Sequence, residues 1–227
     1  MPWSRISTAA DEVGDDADCP FCPGHLTAST DEADTLLARG PGVNLLPTVG
    51  MMVPGYLLVT AQDHVLSMAD LGADHLADLG PWLDTVRRVL TPQFGQYLTF
   101  EHGSSAADRT GACIEHAHLH LIPLADRLSE RLRGAASWEV LPGFTDLVSY
   151  GGASYAYLHV SGTHLALAEP SLGSQWIRRE AGEVLGLDDW DWSLHRDQQP
   201  LKETLYEFGG IGLDAALAEA GHHLAGP

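Results

Sequence analysis

Residues 111–124 read GACIEHAHLHLIPL, and within them His116, His118 and His120 alternate with Ala117, Leu119 and Leu121. Successive side chains of a β-strand point to opposite faces, so this alternation predicts three imidazoles on one face and small or apolar groups turned to a core on the other. Three neighbouring imidazoles that titrate near neutrality repel one another when charged. A stable fold has little reason to collect them without a ligand, a metal or a reaction.

A chain of 227 residues can bury a substantial core, which predicts one enlarged domain or one domain with a smaller appendage. With 44% hydrophobic and 19% charged residues, the composition is that of a folded protein. No run approaches the ~18 apolar residues of a membrane span. The opening MPWSRISTAADEVGDDADCP is polar and acidic and lacks the basic start and apolar middle of a secretory signal, so a cytoplasmic location is the expectation. The formal charge of −19, with Lys202 as the only lysine, argues against a nucleic-acid or membrane partner, because such surfaces need clustered cations. A small anionic substrate would need a local focus of helix N-termini, imidazoles and arginines, for which Arg109, Arg127, Arg131, Arg133, Arg178 and Arg179 are available.

Along the chain, residues 1–18 read as a loose lead-in without periodicity. Between Thr35 and Val59 the pieces TLLARG, VNLLP, GMMVPG and YLLVT read as strands joined by turns. Apolar residues at Met68, Leu71, Leu76, Leu79, Leu83, Val86 and Leu90 follow a helical period, which predicts a helix over at least Ala73 to Leu90, with a kink or break at Pro81. Gln96 to Phe100 reads as a strand, Glu101 to Gly111 as a polar loop and Cys113 to Leu121 as the histidine strand, ended by Pro123. Ala125 to Arg133 reads as a short helix or loop. YAYLHV and LALAEP flank Ser161-Gly162-Thr163-His164 as a hairpin, Ser174 caps a helix over Gln175 to Leu185 with Gly186 as its stop, and a last helix starts near Leu201. No internal repeat is visible.

Cys19-Pro20-Phe21-Cys22 is a CxxC pair, whose spacing in a reducing compartment favours metal or redox chemistry over a structural bridge; two reduced core thiols are the plainer alternative. For the histidine run, the competing reading is a catalytic metal held directly by His116, His118 and His120. Trp190 and Trp192 read as packing anchors, and Arg178-Arg179 as either a solvated helix face or a phosphate contact.

The pattern His-X-His-X-His-X-X at His116 to Ile122, with apolar X, resembles the histidine triad (HIT) superfamily of nucleotidyl hydrolases and transferases. PGYLLVTAQDHVLSMADL (Pro54 to Leu71) is similar to that family's strand and turn before its main helix, and CPFC resembles the zinc knuckle of many bacterial members. The resemblance spans about Cys19 to Leu124. It implies an α+β fold, in which an antiparallel sheet with a long packed helix occupies residues 19–125 and a C-terminal α/β extension, 126–227, lies on or near the site. It also implies a homodimer.

The implied chemistry is attack of His118 on an α-phosphorus to form a covalent nucleotidyl intermediate, with His120 bonding a phosphoryl oxygen. The substrate would be a small nucleotide or nucleoside phosphate, contacted by Ser104, Ser105, Arg109, Gly111, Arg178 and Arg179. Zinc, as a structural cofactor, would be held by Cys19, Cys22, His64 and His116. Gly111-Ala112-Cys113 departs from the family's Gly-Gln-Ser-like segment, and Glu101-His102 stands where relatives often place an asparagine. Histidine at position 120, where transferases and phosphorylases usually carry glutamine, favours hydrolysis. A transferase or phosphorylase of the same superfamily, and a binding protein without catalysis, are the alternatives.

Overall fold

A computed structural model describes residues 19–105, 114–168, 172–195 and 197–222. Its centre is one eight-stranded antiparallel sheet in the order β1-β2-β3-β5-β4-β7-β8-β6, formed by β1 (Ala38–Gly40), β2 (Val43–Pro47), β3 (Leu57–Ala61), β4 (Leu98–Gly103), β5 (His118–Ile122), β6 (Glu139–Leu141), β7 (Tyr155–Val160) and β8 (Thr163–Ala168). The helices are α1 (Pro23–Ala28), α2 (Ala73–Phe94), α3 (Ala125–Gly134), α4 (Trp176–Leu185), α5 (Gln199–Ile211) and α6 (Leu213–Glu219).

The sheet separates two hydrophobic layers. On one face α2 buries Leu76, Leu79, Trp82, Leu83, Val86 and Leu90 against Leu57, Val59, Ala117, Leu119 and Leu121. These are the apolar partners of the histidine alternation, so the period-two reading of that strand holds. On the other face α3 and α4 pack Leu128, Leu132, Trp176 and Ile177 over Leu98, Phe100, Ile122 and Leu158. Helix α2 continues through Pro81, and no break falls there. GMMVPG is a turn and not a strand: Met51 and Met52 are buried, and the hydroxyl of Thr204 in α5 accepts from the Gly55 amide at 2.8 Å. The N-cap of α4 is Gln175, in the left-handed region at φ 57°, rather than Ser174; Gly186 is its left-handed C-cap, as expected.

The strand order repeats about the β4–β7 pair. From β4 outward the order is β4-β5-β3, and from β7 it is β7-β8-β6, antiparallel throughout. The chain visits both halves alike: β3, α2, β4, β5, α3 in one, and β6, the 3-10 helix Phe144–Tyr150, β7, β8, α4 in the other. Residues beyond 126 thus continue the sheet of the first half. The positions of β8 on the α3–α4 side of the sheet include Leu165 and Leu167, so among the described residues no imidazole row exists on that face of the second half.

Glu101 lies inside β4, one residue past the predicted strand end, and its side chain enters the α2 layer. There Oε1 accepts from the Met68 amide at 2.8 Å and Oε2 accepts from the Tyr155 hydroxyl, while the Ala69 amide donates to that same hydroxyl at 3.1 Å. The carboxyl pins the turn before α2 to the sheet. Burial pushes its pKa up to about 8, against the pull of those two hydrogen bonds and aided by the charge of Asp70. A carboxyl that holds its proton more tightly when folded contributes stability below the ordinary carboxylate range, and that contribution is lost as the pH rises through about 8. Glu101→Gln keeps an acceptor and a donor but cannot ionise. Urea unfolding should therefore show wild-type stability declining between about pH 5 and pH 9 relative to Glu101→Gln; parallel curves would refute the assignment.

Candidate active site and metal centre

The histidine row begins just outside the regular strand. The Ala117 amide donates to the Val65 carbonyl at 2.7 Å, and the Ala61 amide donates to the Ala117 carbonyl at 3.0 Å. This pairing turns the His116 imidazole toward the CPFC turn, while His118 and His120 belong to β5 proper. Cys113, expected at the strand start, lies outside the described residues.

Cys19, Cys22, His64 and His116 place one ligand atom each within 4.8 Å of one another. Cys19 Sγ is 3.4 Å and Cys22 Sγ is 3.9 Å from His116 Nδ1, and Cys22 Sγ is 3.2 Å from His64 Nδ1. Sulfur and nitrogen sharing a tetrahedral zinc stand about 3.6 Å apart, from bond lengths of ~2.3 and ~2.05 Å. The donor set and its spacing fit such an ion. The Nε2–H of His116 donates to the Ala61 carbonyl at 2.8 Å, which leaves Nδ1 with a lone pair facing the cysteines. Burial lowers the His116 pKa to about 4, so the ring is neutral, as a metal ligand must be.

Beside this centre a cleft opens over the sheet, lined by Phe21, Leu46, Leu58, Phe100, His118 and His120 on one side and Gln175, Trp176, Ile177, Arg178 and Trp192 on the other; Asp34 and His102 reach it as well. The Nδ1–H of His118 donates to the His116 carbonyl at 2.7 Å. A carbonyl can only accept, so the proton is on Nδ1 and the lone pair is on Nε2. Burial lowers the His118 pKa, with the hydrogen bond to His116 partly opposing it. His120 Nδ1 shares a 3.0 Å hydrogen bond with the Tyr56 hydroxyl, and burial, then the charges of His118 and Arg178, push its pKa well below the usual value. The ring centroids of His118 and His120 are 5.0 Å apart, and Phe21 packs on both His116 and His118 at 5.7 and 5.4 Å.

Of the expected contacts, Arg178 lines the cleft. Arg179, its neighbour in α4, is half-buried beside Glu180 at 3.6 Å and does not. Ser104 and Ser105 are buried away from the cleft, with Ser104 Oγ donating to the Leu66 carbonyl at 3.4 Å and Ser105 beside Ser154. Arg109 and Gly111 lie outside the described residues. Trp190 is a packing anchor: its Cβ approaches Gly182 closely enough to meet any added Cβ at 2.5 Å. Trp192 instead walls the cleft, its amide donating to Gln175 Oε1 at 3.1 Å. Tyr56, Phe21 and Gln175 were not legible as site residues, because each sits within a run that reads as ordinary strand, turn or helix.

No family model and no curated protein matches the chain. Among solved structures it is similar to the HIT-like protein involved in cell-cycle regulation from Bartonella henselae, at 17% sequence identity and a TM-score of 0.38, over 48% of this chain and 82% of that one. Among the described residues no helix is long and apolar enough to cross a membrane.

The metal centre makes a direct expectation. Elemental analysis of the purified protein should find about one zinc per chain. Cys22→Ser should lose most of it and lower the melting temperature, on the order of 10 °C, as the anchor between the N-terminal turn and the sheet is released. Full metal content in that variant would exclude Cys22 as a ligand.

Proposed function

We propose that the chain is a nucleotide-processing hydrolase of the histidine triad type, acting at an α-phosphate through a covalent intermediate on His118. The observation that carries this reading is the 2.7 Å bond from His118 Nδ1–H to the His116 carbonyl. It holds the ring in the tautomer whose Nε2 lone pair is available for attack, within a cleft largely walled by apolar and aromatic side chains.

When Nε2 attacks phosphorus, the imidazole gains positive charge, and the acceptor at Nδ1–H stabilises that charge throughout the step. His120, kept neutral by its surroundings, is placed to donate Nε2–H to a phosphoryl oxygen when the Tyr56 hydroxyl donates to its Nδ1. Phe21, Leu46, Leu58 and Phe100 offer an apolar bed for a nucleoside. The four-ligand cluster has no part in the displacement. A zinc ion there would be structural, with Cys19, Cys22, His64 and His116 filling its tetrahedron.

Quenched-flow mixing with a nucleotide substrate followed by peptide mapping should add one nucleotidyl mass to the peptide containing His118. His118→Ala should lose activity on the order of a thousandfold or more while retaining zinc and melting temperature. Turnover at the wild-type rate in that variant would end the proposal.

A further inference from the structure

Arg178 is the least satisfied charge in the molecule's described interior. It is 3% exposed. Its Nε donates to the Trp190 carbonyl at 3.0 Å and its Nη2 to the Gly50 carbonyl at 2.6 Å, while its guanidinium carbon stands 5.7 Å from the centre of the Tyr56 ring. Nη1 is buried and has no hydrogen-bond partner among the described residues. A guanidinium stays charged, and a buried, unfilled donor on a charged group is costly. Two anchors fix the plane of the guanidinium, and Arg178 is among the residues that line the cleft.

The anchoring is elaborate. Gly50 sits at φ +61°, and an added Cβ would meet the Trp192 carbonyl oxygen at 2.8 Å, so only glycine lets the two segments that hold Arg178 approach. The first turn of α4, Trp176 to Arg178, lines the same cleft. A helix N-terminus carries partial positive charge and favours anions. Arg178 is also the only arginine or lysine among the described residues lining the cleft, in a chain of net charge −19.

The position of this charge relative to the histidines bears on substrate class. Tyr56 joins Arg178 to His120, the histidine farther from the metal cluster, so the guanidinium faces the row from α4 on the His120 side. We propose that Arg178 and the first turn of α4 receive an anion carried by the group displaced from the α-phosphate, so that the bond broken is a phosphoanhydride rather than a phosphoramidate. The proposal rests on His118 being the nucleophile.

In the first step the Nε2 lone pair forms the N–P bond as the bridging P–O bond breaks, and its electron pair stays on the departing phosphate. That phosphate leaves as an anion and needs no proton. Water then attacks phosphorus, the N–P electrons return to Nε2, and the proton of the water passes to solvent. An amine leaving group would have no anion for Arg178 to hold and would need a proton delivered beside a fixed cation.

The test compares zinc-loaded full-length wild type with Arg178→Gln and Arg178→Lys on diadenosine triphosphate and adenosine 5′-phosphoramidate, together with calorimetric titration of inorganic pyrophosphate. For Arg178→Gln, kcat/KM on the triphosphate should fall about a hundredfold and pyrophosphate affinity at least about tenfold, with the loss on the triphosphate exceeding that on the phosphoramidate by at least about tenfold. Arg178→Lys, which keeps the charge, should recover part of the pyrophosphate affinity and serves as the comparison should the glutamine variant not fold. Equal losses on both substrates with unchanged pyrophosphate affinity would overturn the proposal and leave Arg178 as an anchor for the Gly50 and Trp190 segments. Absence of turnover of either substrate by wild type would count against the His118 reading; the pyrophosphate titration then decides Arg178 alone, supporting the anion site if affinity depends on it and overturning it if not.

Discussion

His116 is held at three points, and the site depends on all of them. Its Nε2–H is tied to the Ala61 carbonyl, its Nδ1 faces the two cysteines, and its own backbone carbonyl accepts the Nδ1–H of His118. The first bond fixes the tautomer that can ligate a metal. The last fixes the tautomer of His118 that leaves Nε2 bare, the form the proposed attack on phosphorus requires. One residue thereby couples the N-terminal CPFC turn to the His118 ring two positions on, and Phe21, packed against both imidazoles, closes the same corner.

The two halves of the sheet have divided their work. They share an order of strands and helices about the β4–β7 pair, yet one carries His118 and His120 on its cleft face where the other carries Leu165 and Leu167. The second half contributes core on that face and, through α4, a wall for the cleft of the first. That wall brings Arg178 and a helix N-terminus opposite the histidines, a local positive focus within a strongly acidic chain. The histidines themselves are kept neutral by burial, so their contribution is lone pairs and N–H donors rather than charge.

The sequence makes a residue's role legible where that role follows from a period. The alternation at His116 to Leu121 places Leu119 and Leu121 against α2 because strand sides alternate, and the α2 core positions follow their 3.6-residue spacing. The cysteine and histidine cluster came from the family resemblance, since nothing local links His64 to Cys22. Phase errors account for other differences. Ending β4 at Phe100 hides the fact that Phe100 and His102 face the cleft while Glu101 faces the core. The Arg178-Arg179 pair looks equivalent on paper, and only the rotation of α4 buries one in the cleft wall and leaves the other half-buried beside Glu180. The topological repeat left no sequence trace, because leucines fill in β8 the positions that the first half gives to imidazoles.

The tautomer of His118 is the most direct test. Long-range proton–nitrogen NMR on the zinc-loaded protein with labelled histidine should show, at pH 7, a His118 ring protonated at Nδ1 and bare at Nε2. A ring protonated at Nε2, or a doubly protonated imidazolium at that pH, would contradict the account.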